Sequence, residues 1–155
     1  MIGKTHEECK KFFLQIRNHF DYLFEQHGFS VVHESGNGEH CLFVVQSGNC
    51  QIEFLYDRGI VEVSVGTPQH KYYIFWVINF IKDKDRLTLE EVDQTMELFW
   101  SGRIEEGLSA ISKVLKPVCG EIVELFQEET FRKKRNALER FYHAIGELPS
   151  KGDST

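Results

Sequence analysis

Residues 41–65, CLFVVQSGNCQIEFLYDRGIVEVSV, constrain the fold of this chain more than any other stretch. Apolar and polar side chains alternate through three segments, and Gly48-Asn49 and Arg58-Gly59 fall where two-residue hairpin loops would sit. Glycine supplies the positive φ that such loops need. With both loops two residues long, Val45 lies opposite Ile52, Phe43 opposite Phe54, and Cys41 opposite Tyr56. In the second hairpin Tyr56 faces Val61, Phe54 faces Val63, and Ile52 faces Val65. Both hairpins then put their apolar groups on one face, and a slip of one residue would turn a strand's set to the other side. The opposite face mixes Gln46, Gln51, Glu53, Glu62 and Ser64 with Leu42, Val44 and Leu55, which predicts partial cover.

The flanks supply helices. Thr5 and Glu8 have the spacing of a capping box, and Phe13, Ile16, Phe20, Leu23 and Phe24 form a helical stripe that ends at Gly28. Phe29 to His33 reads as a first strand, with a turn at Ser35–Gly38 before the meander. Tyr72 to Ile81 is aromatic and β-branched; a short helix is preferred there, with a fifth strand as the alternative. Thr88 and Glu91 make a second capping box, ahead of a helix burying Leu89, Val92, Met96 and Phe99 and ended by Gly102. Apolar residues at 104, 108, 111, 115, 118, 122 and 125 keep heptad spacing through Pro117, which favours a kink over a new helix. Phe131, Leu138, Phe141 and Ile145 mark a last helix. The expected architecture is α+β: an N-terminal helix, a four-stranded antiparallel meander, and three to four C-terminal helices packed on one face. Residues 1–146 form one domain, and 147–155 a polar, disordered tail.

Composition narrows the function. Thirteen phenylalanines and 41% apolar residues predict a packed core, and a formal charge of −6 argues against general nucleic-acid binding. Cys9, Cys41, Cys50 and Cys119 show no metal-finger or redox-motif spacing, so reduced, mostly buried thiols are expected. The N-terminus has no apolar signal segment, and no run approaches the ~20 residues a membrane helix requires. A cytoplasmic protein without cofactor or metal is the expectation.

No catalytic pattern stands out. Nucleophile elbows, P-loops and dinucleotide fingerprints are missing, Glu53 lacks the lysine two residues on that a nuclease hairpin would carry, and Asp57-Arg58-Gly59 is explained by its turn. His33 and His40 flank a turn and suggest at most a surface metal site with Glu34 and Glu39. The stronger lead is charge. Residues 83–106 hold eight acids and three bases, and Glu90, Asp93 and Glu97 fall on one helix flank with Asp83 and Asp85 before them. Arg132-Lys133-Lys134-Arg135 form a small basic cluster suited to phosphate groups or an anionic membrane, and equally to pairing with that acidic helix within the molecule or across a dimer. The 104–125 seam serves either the chain's own core or a homodimer.

The segment GFSVV … HCLFVVQSGNCQIEFLYDRGIVEVSVG resembles small bacterial α+β proteins of unassigned function, some of which are immunity proteins that neutralise a toxin. The resemblance covers residues 5–81 and rests on strand alternation and the Asp-Arg-Gly turn. It implies a bacterial cytosolic protein that acts through its surface, and it carries over no binding residue. The resulting expectation is a non-enzymatic binding module that holds a basic protein partner through Asp83, Asp85, Glu90, Asp93 and Glu97, an immunity-type inhibitor being its most concrete form. The alternative is a small-ligand sensor or enzyme, with a pocket between the sheet and the aromatic segment 72–81.

Overall fold

The computed structural model describes the backbone of residues 2–37 and 39–154, with side chains over 7–36 and 39–144. The tail expected at 147–155 lies outside the residues described with their side chains. Helices α1 (Ile2–His19) and α2 (Asp21–Gln26) lead into five strands: β1 (Ser30–Asn37), β2 (His40–Ser47), β3 (Cys50–Asp57), β4 (Ile60–Gly66) and β5 (Lys71–Tyr73). Helices α3 (Ile74–Ile81), α4 (Leu89–Trp100), α5 (Ile104–Leu115), α6 (Cys119–Leu125) and α7 (Glu128–Ser154) complete the chain.

The strands form one antiparallel sheet in sequential order. The central register is the one read from alternation: Phe43 opposes Phe54, Phe54 opposes Val63, and Ile52 lies between Val45 and Val65. In the first loop Gly48 alone has positive φ (58°), as a type II′ turn requires. In the second, Arg58 (53°) and Gly59 (87°) both do, the type I′ pattern. An arginine in that region is uncommon and carries a steric cost.

On the apolar face, Phe13 of α1 stacks on Phe43 with ring centroids 5.2 Å apart, and Phe20 meets Phe54 edge-on at 4.9 Å. Phe126, just past α6, stacks on Tyr72 at 6.0 Å. Phe20, Phe43, Phe54 and Phe126 are fully buried. At roughly 1.5–3 kcal/mol for each large apolar side chain removed from water, this aromatic layer is the main adhesive between sheet and helices. The first helix breaks at Phe20, whose ψ is 31°, and this break sets Phe20 and Leu23 both into the core.

Several expectations need correction. The sheet has five strands, not four. Between β4 and β5 the chain turns tightly: Thr67 N–H donates to His70 carbonyl (2.8 Å), and His70 N–H donates to Thr67 carbonyl (3.3 Å) and to Thr67 Oγ1 (3.1 Å). Any side chain at Gly66 would strike the His70 carbonyl. Three residues of β5 are too few to show alternation inside an aromatic run, and Tyr72–Ile81 divides into strand and helix. Strand β1 runs on through Ser35-Gly36-Asn37, with a bulge between Val31 and His33. Helix α1 starts at Ile2, so Thr5 is inside it and not at its cap. Pro117 neither kinks a continuous helix nor opens a new one; it sits in a 3-10 turn, Lys116–Val118, between α5 and α6. The stripe Leu108, Ile111, Leu115, Val118, Ile122 and Leu125 is buried in the chain's own core. Leu89, expected in the core, is 47% exposed.

The thiol expectation fails for one pair. Cys9 of α1 and Cys41 of β2 are joined by a disulfide, and both are buried. Gly36 leaves room for it, since a Cβ there would sit 2.5 Å from Cys9 Sγ. Cys50 and Cys119 are free and buried, and burial pushes the Cys119 thiol up to about 12. No helix among the described residues is long and apolar enough to cross a membrane. Closing a loop with a sequence separation of 32 restricts the unfolded chain. The double variant Cys9→Ala/Cys41→Ala is therefore expected to lose about 3 kcal/mol in urea unfolding. Dithiothreitol should lower the parent chain to the same stability and leave the variant unmoved; equal stability of parent and variant would contradict the bond.

Candidate functional site

Helix α4 is positioned by its two ends and its buried side. Before it, Asn79 of α3 is buried and braces the connecting loop. Its Nδ2 donates to the Leu87 carbonyl (2.9 Å), and Leu87 N–H donates to Asn79 Oδ1 (2.7 Å). The expected capping box is complete: Glu91 N–H donates to Thr88 Oγ1 (3.1 Å), and Thr88 N–H donates to Glu91 Oε1 (2.9 Å). Val92 and Phe99 are buried, and Gly107 of α5 lies so close to the Phe99 ring that any side chain there would collide with it. After Trp100, Gly102 (φ 82°) turns the chain into α5.

This anchoring leaves one side of α4 facing out. At about 100° per residue, Leu89, Trp100, Asp93, Glu97 and Glu90 fall within about 100° of arc, with Glu90 and Glu97 farthest from Val92 and Phe99 and Leu89 at the margin, about 60° from Val92. All five are exposed, Trp100 by 62% and Leu89 by 47%. Residues 87–102 contain no lysine or arginine. Among the described residues, Glu90, Asp93 and Glu97 have no ion-pair partner. The other acids of the segment differ. Glu105 is 3.0 Å from His19 Nε2, Glu106 is 3.8 Å from Arg103, and Glu91 is engaged in the cap. Asp83 and Asp85 are exposed in the loop before α4, where Lys84 and Arg86 offset their charge. The five predicted residues thus divide into three on one uncompensated flank and two in a locally balanced loop.

The sheet adds a residue that sequence reasoning missed. Tyr73 of β5 donates its hydroxyl to Met96 Sδ of α4 (3.0 Å). Its hydroxyl is pushed up to about 12, first by burial and then by the charges of Glu62 and Asp93. Glu62 of β4 therefore shares the field of Asp93. No sequence spacing links residue 62 to residue 93; the link comes from α4 packing beside β4. Leu89 and Trp100 were also missed as surface groups, because helical periodicity alone does not distinguish the exposed side of an apolar pair from the buried one.

Other candidates do not assemble. His33 pairs across from Val44 and His40 from Asn37, four rungs and about 13 Å apart along the strand. Among the described residues no three His, Cys, Asp or Glu side chains converge to hold a metal ion. The basic cluster pairs within its own helix, Arg132 with Glu129 (3.5 Å) and Arg135 with Glu139 (3.1 Å), rather than with α4. In the 72–81 segment both tyrosine hydroxyls are engaged. Tyr72 donates to Glu139 Oε2 (2.8 Å) under Phe126, and Tyr73 packs edge-on against Phe75 and Trp76. The Tyr72 hydrogen bond, then that of Arg135, holds the Glu139 carboxyl below its usual range.

The fold so defined is an α+β meander with an acidic helix set along its β4–β5 edge. Compared with protein-family models, curated proteins and solved structures, the chain matches none.

Replacing Asn79 by leucine should leave the Leu87 backbone groups unpaired and cost about 1–3 kcal/mol. Faster amide exchange should follow over 82–88, with the β2–β4 amides still protected. Unaltered exchange in that loop would show that Asn79 does not position α4.

Proposed function

We propose that this chain is a non-enzymatic binding protein that holds a basic protein partner on the outer flank of α4. An immunity-type inhibitor of a basic toxin is the most concrete form of this reading. The observation that carries it is the pairing, on one exposed arc, of three uncompensated carboxylates with two exposed apolar anchors, Leu89 and Trp100. Carboxylates without neighbouring cations attract a cationic surface and speed encounter. Charge alone gives little residence time, because exposed ion pairs are worth little each. A tryptophan that becomes buried supplies what charge does not, and tryptophan is enriched among the residues that dominate binding energy. Glu62 extends the same negative field onto the sheet, so the partner's footprint spans α4 and the adjoining part of β4.

The direct test is capture of the partner from the source organism's lysate. Glu90→Lys/Asp93→Lys/Glu97→Lys is expected to abolish capture while circular dichroism and the thermal midpoint stay close to those of the parent. Trp100→Ala is expected to weaken binding of the captured partner by about 2 kcal/mol, roughly 30-fold, mainly through faster dissociation. Undiminished capture by the triple variant would overturn the reading.

A further inference from the structure

The two edges of the sheet end differently. At β5, three residues long, the chain runs straight into α3, and the Tyr73 N–H donates to the Tyr142 hydroxyl (3.1 Å). At the other edge, β1 pairs with β2 on one side only. Val32, His33, Glu34, Ser35 and Gly36 are all exposed there. We propose that this edge pairs with the same strand of a second copy of the chain, joining two sheets about a two-fold axis. The proposal is independent of the acidic-flank reading, because α4 lies along the opposite edge.

Alternation fixes which groups are on offer. A two-residue loop leaves its flanking residues hydrogen-bonded to each other, so Ser47 bonds Cys50 across β2 and β3. Bonded and non-bonded pairs then alternate along an antiparallel ladder. The odd-numbered residues of β2 therefore bond β3, and the even-numbered ones bond β1. On β1, His33 and Ser35 lie opposite Val44 and Leu42 and are tied to β2, whereas Glu34 and Gly36 turn N–H and C=O outward. The same alternation turns the Tyr73 N–H outward on β5, where the Tyr142 hydroxyl meets it. Among the described residues, no backbone group beyond the strand ladder bonds Glu34 or Gly36. Another extended strand satisfies such a row of groups in register.

The edge is self-complementary. An antiparallel pairing centred on Ser35 sets Glu34 opposite the second copy's Gly36, and Gly36 opposite its Glu34. Two hydrogen-bonded pairs close, and no like charges oppose each other. The edge also carries little of what usually prevents such pairing. Residues 30–37 hold no lysine, arginine or proline, and Arg17 neutralises Glu34 at 3.2 Å. The bulge between Val31 and His33 is a guard, and it confines the new ladder to the hairpin end of β1. Apolar area is available beside that ladder. Val32 is 49% exposed and Leu14 of α1 57%. Leu14 lies within about 60° of Arg17 around the helix, on the side that reaches β1. Because the β5 edge is closed, pairing stops at two chains and does not run on as a fibre.

Sedimentation equilibrium of the full chain tests this between about 10 µM and about 1 mM, a range that covers weak association. The expected mass at the upper end is twice that of the 18.1 kDa chain. Glu34→Pro removes the outward N–H and no bond to β2, a change that edge strands tolerate, and should give a monomer. Glu34→Gln deletes the charge, keeps that N–H and should give the dimer. Amide exchange reads the same interface without any variant. As the parent chain is concentrated, Glu34 and Gly36 should slow at least about tenfold, with His33 and Ser35 protected throughout. A monomer at every concentration, a dimer that survives Glu34→Pro, or Glu34 and Gly36 amides indifferent to concentration would overturn the proposal.

Discussion

Burial of the aromatic face of the β2–β3–β4 meander is the constraint on which the rest of the structure depends. Phe43, Ile52, Phe54 and Val63 sit on one face only because both hairpin loops have two residues and the register cannot slip without turning one strand over. That face must be covered, and α1, α3, α5, α6 and α7 supply Phe13, Ile78, Leu108, Ile122 and Phe131 to cover it. Helix α4 takes a smaller share. Its buried groups are Val92 and Phe99, and its approach to α5 is possible because residue 107 is glycine. A helix anchored along a narrow strip keeps most of its circumference free for other work.

That freedom leaves the outer side of α4 open to solvent, whereas the apolar face of the sheet is covered. The basic residues of the segment lie at its margins: Lys84 and Arg86 in the preceding loop and Arg103 after the helix. The basic start of α7 forms ion pairs within its own helix and does not neutralise α4. The carboxylates of α4 are therefore left to solvent, with Trp100 and Leu89 beside them. Surface carboxylates favour solubility by themselves, and Trp100 beside them is the feature that the proposed partner surface is meant to explain.

Much of this could be read from residue order, for reasons that are local. Alternation and glycine turns specify a meander because the side-chain period and the turn geometry are properties of neighbouring residues, as at Gly48 and Gly59. The Thr88–Glu91 capping box is likewise complete within four residues. What escaped detection depends on contacts between distant parts of the chain. The Cys9–Cys41 bond exists because α1 crosses the sheet at Gly36, and no cysteine spacing encodes that crossing. Strand β5 exists because β4 offers it an edge, and its three residues carry no period of their own. On the acidic surface, Glu90, Asp93 and Glu97 followed from helical spacing. The contribution of Glu62 and the exposure of Trp100 required knowing which side of α4 meets β4 and α5.

The central claim is that the outer flank of α4 is the surface a basic partner covers. Amide hydrogen exchange of the partner-bound chain tests it most directly. Added protection is predicted in α4, over residues 89–100, with residues 128–144 of α7 exchanging as in the free chain. Protection confined to α7, with α4 unchanged, would contradict it.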